Sequence, residues 1–150
     1  MPPRSLIRLA AASSLAFACH AGANLDVPDA SVPNPDAEVA VAAVKAGDWR
    51  RAIDNFTAAL KAEPDNADYH NGIGYAYRKA GRFDDSFRHY RQALRINPGL
   101  KSAHEYIGEA YLATGDKAKA REHLATLERL CGGRGCEEYR DLERAIAAAK

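Results

Sequence analysis

The residues in this chain that could do chemistry are a cysteine pair, two echoed histidine pairs and scattered serines, histidines and aspartates. The sharpest is Cys131-Gly-Gly-Arg-Gly-Cys136. Its three intervening glycines let the loop fold back and bring the sulfurs together, which favours a structural disulfide. A redox-active pair would be expected in two-residue Cys-x-x-Cys spacing within a βαβ pattern, and neither is present. No histidine or second cysteine pair stands at ligand spacing for a metal. The histidines recur as His70 with His104 and His89 with His123. A metal reading of these needs pairs from adjacent units to converge; inheritance by duplication, with ring packing or exposure, is the plainer reading. No Gly-x-Ser-x-Gly turn, phosphate loop or His-Glu-x-x-His helix occurs. The sequence therefore indicates no enzyme and no cofactor.

The echo extends beyond the histidines. Ile73, Gly74, Ala76, Tyr77 and Gly81 fall on Ile107, Gly108, Ala110, Tyr111 and Gly115, a shift of 34 residues. A period of that length is one helix-turn-helix unit, and such units stack into solenoids because one alone cannot bury its apolar face. Apolar spacing predicts helices over 36–46, 49–62, 67–80, 83–96, 101–114, 117–130 and 137–149. Gly47, Gly81 and Gly115 mark turns, as do Pro64-Asp65-Asn66 and Asn97-Pro98-Gly99. The fold class is all-α, a right-handed α-α solenoid. In the seventh helix, Leu142 and Ile146 are expected to pack on Leu124 and Leu127 as a cap closing the open end.

The N-terminus reads as a secretory signal over residues 1–23. Arg4 and Arg8 precede an uncharged apolar run from Leu9 to Ala18, and Ala21-Gly22-Ala23 is a small-x-small cleavage site. That run is too short to span a bilayer. A lipid anchor at Cys19 is the weaker alternative, because Phe17 is bulky for a lipoprotein box. The expected location is outside the cytoplasm, in the periplasm, where Cys131 and Cys136 would remain as an even pair. Residues 24–35 carry three prolines and read as a flexible linker, with Pro33 and Pro35 delaying the first helix to about Asp36. The formal charge is +1; loss of Arg4 and Arg8 takes the 21 basic residues to 19 against 20 acidic ones, a net of −1. That balance makes no electrostatic case for nucleic acid or for anionic lipid.

In register, the units are 33–66, 67–100 and 101–134, with the folded domain covering 36–150. The middle unit has Ile73-Gly74, Tyr77, Gly81, Phe83, Ser86, Tyr90, Ala93 and Pro98. The first has Gly47, Trp49, Ala52, Phe56, Ala59 and Pro64, and the third keeps Ile107-Gly108, Tyr111, Gly115 and Ala120. This pattern resembles the tetratricopeptide repeat family. Gly74 and Gly108 are expected to let the two helices of their own units approach closely. The third unit departs at Lys117, Leu124, Leu127 and Gly132.

The resemblance implies that the first helix of each unit lines a concave groove. The groove residues it selects are Asp68, Asn71, Tyr75, Arg78 and Lys79 from the middle unit and Glu105, Tyr106 and Glu109 from the third. Tyr75 and Tyr106 would act as aromatic anchors, Arg78 and Lys79 as a basic spot, and Glu105 and Glu109 as an acidic one. The full Lys/Asn/Arg set with which some members clamp a chaperone's C-terminal carboxylate is missing. The function implied is a non-enzymatic interaction module of the cell envelope that takes a protein or peptide partner. Two alternatives stand beside it: a small redox or metal-handling protein using Cys131 and Cys136, and a subunit that stacks end to end with another helical protein.

Overall fold

The computed structural model describes residues 34–149, which form seven helices. These are α1 (Pro35–Ala46), α2 (Trp49–Ala62), α3 (Ala67–Lys79), α4 (Phe83–Ile96), α5 (Lys101–Ala113), α6 (Lys117–Leu130) and α7 (Glu137–Ala148). The expected signal segment, Cys19 and most of the 24–35 linker lie outside the described residues. Among the described residues no helix is long and apolar enough to cross a membrane.

α1 starts one residue earlier than expected, and Pro35 is its first residue rather than a barrier to it. At that position a proline's missing N–H costs nothing and its fixed φ already suits the helix. Asn34 caps the end by accepting from the backbone N–H groups of Asp36 and Ala37. Asn66 caps α3 in the same way, and the Asp48 and Asp116 carboxylates cap α2 and α6. Gly47, Gly81 and Gly115 close α1, α3 and α5 with φ of 72°, 75° and 86°. Each lets the following N–H reach back five residues, as from Asp116 to the Tyr111 carbonyl at 2.8 Å.

Consecutive helices pack as pairs, and α7 lies against both α5 and α6. The core is built from alanines that allow close helix approach and a few large plugs. Ala40, Ala52, Ala59, Ala76, Ala93, Ala110 and Ala120 are fully buried, as are Tyr90 and Leu127, with Phe56 nearly so. Each such plug contributes about 1.5–3 kcal/mol through burial.

Tyr90 and Leu142, which is also fully buried, explain two glycines. A Cβ on Gly74 would meet the Tyr90 ring at 2.6 Å, so the glycine makes room for the partner helix of its own unit, as expected. Gly108 behaves differently: its added Cβ would meet Leu142 of α7 at 2.5 Å, not a side chain of α6. The expectation that Gly108 serves its own pair is therefore corrected. Leu124, which stands at the register position of Tyr90, leaves space that the cap helix fills. Leu142, Ile146 and Tyr139 form one cluster with Leu127 and Ala120, with Leu124 at its edge.

Candidate functional site

Every selected groove residue lies on α3 or α5, and three pairs meet across the seam between these helices. Asn71 Nδ2 donates to Ser102 Oγ at 3.0 Å. The Tyr75 and Tyr106 rings lie 5.1 Å apart. Arg78 pairs with Glu109 at 2.6 Å. Each pair is separated by 31 residues, one period less about one helical turn. α5 therefore sits beside α3 displaced by nearly a turn, and side chains meet diagonally instead of with their repeat equivalents.

The strip is graded in exposure. Asn71, Glu105 and Tyr106 are buried, and Arg78 is largely covered, with its side chain 15% exposed. Tyr75, Glu109 and Asp68 are half-buried, while Lys79 is exposed. Tyr106 is thus as much a core residue as a wall residue, its ring 6.4 Å from that of buried Tyr90. The guanidinium of Arg78 lies 5.2 Å from the Tyr75 ring centre and 5.4 Å from that of Tyr106, a cation held between two aromatic faces. Burial acts to release the Arg78 proton, but Tyr90 and Glu109 outweigh it and hold the group above its ordinary range. Beneath it, Arg78 Nε, Tyr90 Oη and Ser86 Oγ converge, all buried and without an aligned hydrogen bond. Burial raises the Tyr90 hydroxyl well above the ordinary tyrosine range, so this ring is neutral at any working pH.

One residue of the strip escaped sequence reasoning. Trp49, at the start of α2, sets its ring edge-on to Tyr75 at 6.2 Å, and Lys79 Nζ lies 5.9 Å from the Trp49 ring centre and 6.0 Å from that of Tyr75. Its position in the repeat marked it as a packing aromatic. Only the turn linking α1 to α2 carries it to the edge of the strip. The more open end of the site is therefore exposed Lys79 over the half-buried rings of Trp49 and Tyr75, and the more covered end is buried Tyr106 with the Arg78–Glu109 pair.

The histidines do not converge between units. They pair within them, with His70 Nδ1 3.3 Å from His89 Nδ1 and His104 Nδ1 3.0 Å from His123 Nδ1. The Cys131 and Cys136 sulfurs lie within bonding distance in the α6–α7 loop, their Cα atoms 5.8 Å apart. The Glu138 carboxylate stands nearby, all three ligand atoms lying within 4.8 Å of one another.

Family models described as tetratricopeptide repeat match residues 40–101 and 77–130. No curated protein resembles the sequence closely enough to count as a relative. Among solved structures, the chain is similar to the TPR2B domain of yeast Sti1, which is in complex with pHsp70. The identity is 18% and the TM-score 0.70, over 76% of this chain and 92% of that one. The second such domain of human RPAP3, in complex with an HSP70 peptide, is 20% identical at a TM-score of 0.66, over 75% and 92%. The Yersinia enterocolitica type III secretion translocator chaperone SycD is 17% identical at 0.67, over 75% and 79%.

Proposed function

We propose that this chain, which belongs to the tetratricopeptide repeat family, is a non-enzymatic interaction module that holds a peptide or helix of a cell-envelope protein along the α3–α5 strip. The observation that carries this is the pair of half-buried rings of Trp49 and Tyr75 with exposed Lys79 over them, beside the Arg78–Glu109 pair. Rigid aromatics next to a cation are the residue types that anchor interfaces. The yeast and human domains similar to this chain are in complex with Hsp70 or a peptide of it, which supports the class of ligand. The same mode of capture does not suit this strip. Arg78 is engaged by Glu109, and Asn71 is buried against Ser102, so neither offers a free donor to a terminal carboxylate. Aromatic and apolar side chains of the partner, flanked by an acidic residue for Lys79, fit better.

Export to the periplasm belongs to the same proposal. It is supported by the charge and apolar pattern of residues 1–23 and by a cysteine pair placed to close a disulfide. Tyr75→Ala combined with Lys79→Glu should abolish capture of the partner in crosslinked envelopes while leaving helicity unchanged; undiminished capture rules the strip out. Tyr106 is unsuited to this test because its removal opens the core. A redox or metal-handling role for the loop cysteines has the proximity of Glu138 in its favour. Thiol titration separates the two readings: thiols masked until the protein is denatured and reduced mark a structural bond, and two thiols that cycle with a mild oxidant mark the redox role.

A further inference from the structure

The interaction surface leaves the histidine pairs unused, although they are built twice to one plan. In each unit one histidine comes from the first helix and one from the second, and the Nδ1 atoms face each other at 3.3 Å and 3.0 Å. A tyrosine flanks each pair: the Tyr77 ring lies 5.6 Å from His89, and the Tyr111 ring is stacked 5.8 Å from His123. His104 Nε2–H donates to the Pro98 carbonyl at 3.0 Å, six residues upstream; the backbone of Pro64, also six residues upstream, bears on the His70 ring. A carbonyl only accepts, so the proton of His104 sits on Nε2 and its Nδ1 carries a lone pair. The second histidine of each pair fills the gap with an Nδ1–H bond.

We infer that each pair is also a two-nitrogen chelating site for a borderline transition-metal ion such as Zn2+, Ni2+ or Cu2+. Two nitrogens on one such ion at bonds of about 2.0–2.1 Å stand about 3.3 Å apart in tetrahedral geometry and about 2.9 Å apart at a right angle. The two observed separations fall between these values. The backbone carbonyl behind the first ring is the outer contact that metal-ligating histidines characteristically make. Taking an ion requires His89 or His123 to move its proton from Nδ1 to Nε2, with no change in charge, and both rings to turn their Nδ1 lone pairs toward an ion beside the line joining the two nitrogens. His104 is buried and the other three rings are half-buried, which leaves water to complete the coordination. Arg88 and Arg95 bear on the first pair and Arg129 on the second, with Asp65 opposing them at His70. Affinity therefore rests on nitrogen donation, which selects against Mg2+ and Ca2+.

The test is titration of the untagged, oxidised chain with Ni2+ and with Zn2+ at neutral pH, read by calorimetry. Two ions per chain are expected. His89→Gln and His123→Gln should each remove one ion and the double variant both, with helicity unchanged, whereas Cys131→Ser with Cys136→Ser should retain both. Should a glutamine variant lose helicity, paramagnetic broadening by Ni2+ in the unsubstituted protein decides, and the first signals lost should be the rings of His89, Tyr77, His123 and Tyr111. Absence of stoichiometric binding, two ions retained by the double variant, or broadening centred elsewhere overturns the inference.

Discussion

The middle and third units share a register yet close their cores differently. In the middle unit Gly74 admits Tyr90 from the second helix of the same unit, while in the third Gly108 admits Leu142 from the helix that follows. The residue at the Tyr90 position sets the difference. A tyrosine fills the space within its own pair and leaves its neighbour to stack a further unit. Leu124 is too short, so the third unit is completed from outside by α7, with Tyr139, Leu142 and Ile146. Repeats need not end by exposing an apolar face when one large-to-small change converts the last interface into a socket for a cap.

Substitutions at the two plugs test this contrast most strongly. Tyr90→Ala removes a fully buried ring from the junction of two units and should cost about 3–5 kcal/mol in urea denaturation. Leu142→Ala should cost about 2–5 kcal/mol, and its loss of amide-exchange protection should stay within α5–α7. Loss of protection across α1–α4 would erase the distinction. Cys136→Ser should lower stability by about 2 kcal/mol under oxidising conditions through freeing the short loop, with no difference from the parent in reductant. The glycines sharpen the contrast further. Gly74→Ala drives a Cβ against a buried aromatic ring, and its strain of about 1–3 kcal/mol should exceed the helix-propensity gain of about 1 kcal/mol. Gly108→Ala drives its Cβ to 2.5 and 2.6 Å from the two methyls of fully buried Leu142 and should also destabilise by about 1–3 kcal/mol, with the loss of amide-exchange protection confined to α5–α7.

The smallest expected effect is one in which the units behave alike. His89 and His123 are both held at about 4 by burial and then by their pair partners, against 6.5 for a free ring. Between those values the unfolded chain binds more protons, so stability is complete above about pH 6.5 and falls as pH drops toward 4. The rings are partly exposed, and screening reduces the size of the slope. His89→Gln and His123→Gln should each remove part of it in thermal melts taken across that window; an unchanged slope in both would contradict the assignment.

Much of this was legible in the sequence because repeats expose their own grammar. Turn glycines, the Pro64-Asp65-Asn66 and Asn97-Pro98-Gly99 turns and apolar spacing located seven helices to within a residue or two. Pro35 was misjudged because a proline that cannot sit inside a helix is well suited to begin one. Relations between helices were harder to see. The diagonal offset of α5 on α3 pairs residues 31 apart, which a 34-residue echo conceals, and it buries Asn71, Glu105 and Tyr106 while leaving Lys79 exposed. The histidine pairing was hidden for a related reason: equivalence between units suggested contacts between units, whereas the contact is within each.

The claim that the α3–α5 strip is where a partner sits is tested most directly by a photo-crosslinking residue in place of Lys79, compared with one in place of exposed Arg91 on α4. The account predicts a discrete adduct in the intact envelope from position 79, lost on adding Tyr75→Ala, and none from position 91. Equal adducts from both positions, or an adduct at 79 that survives Tyr75→Ala, would contradict it.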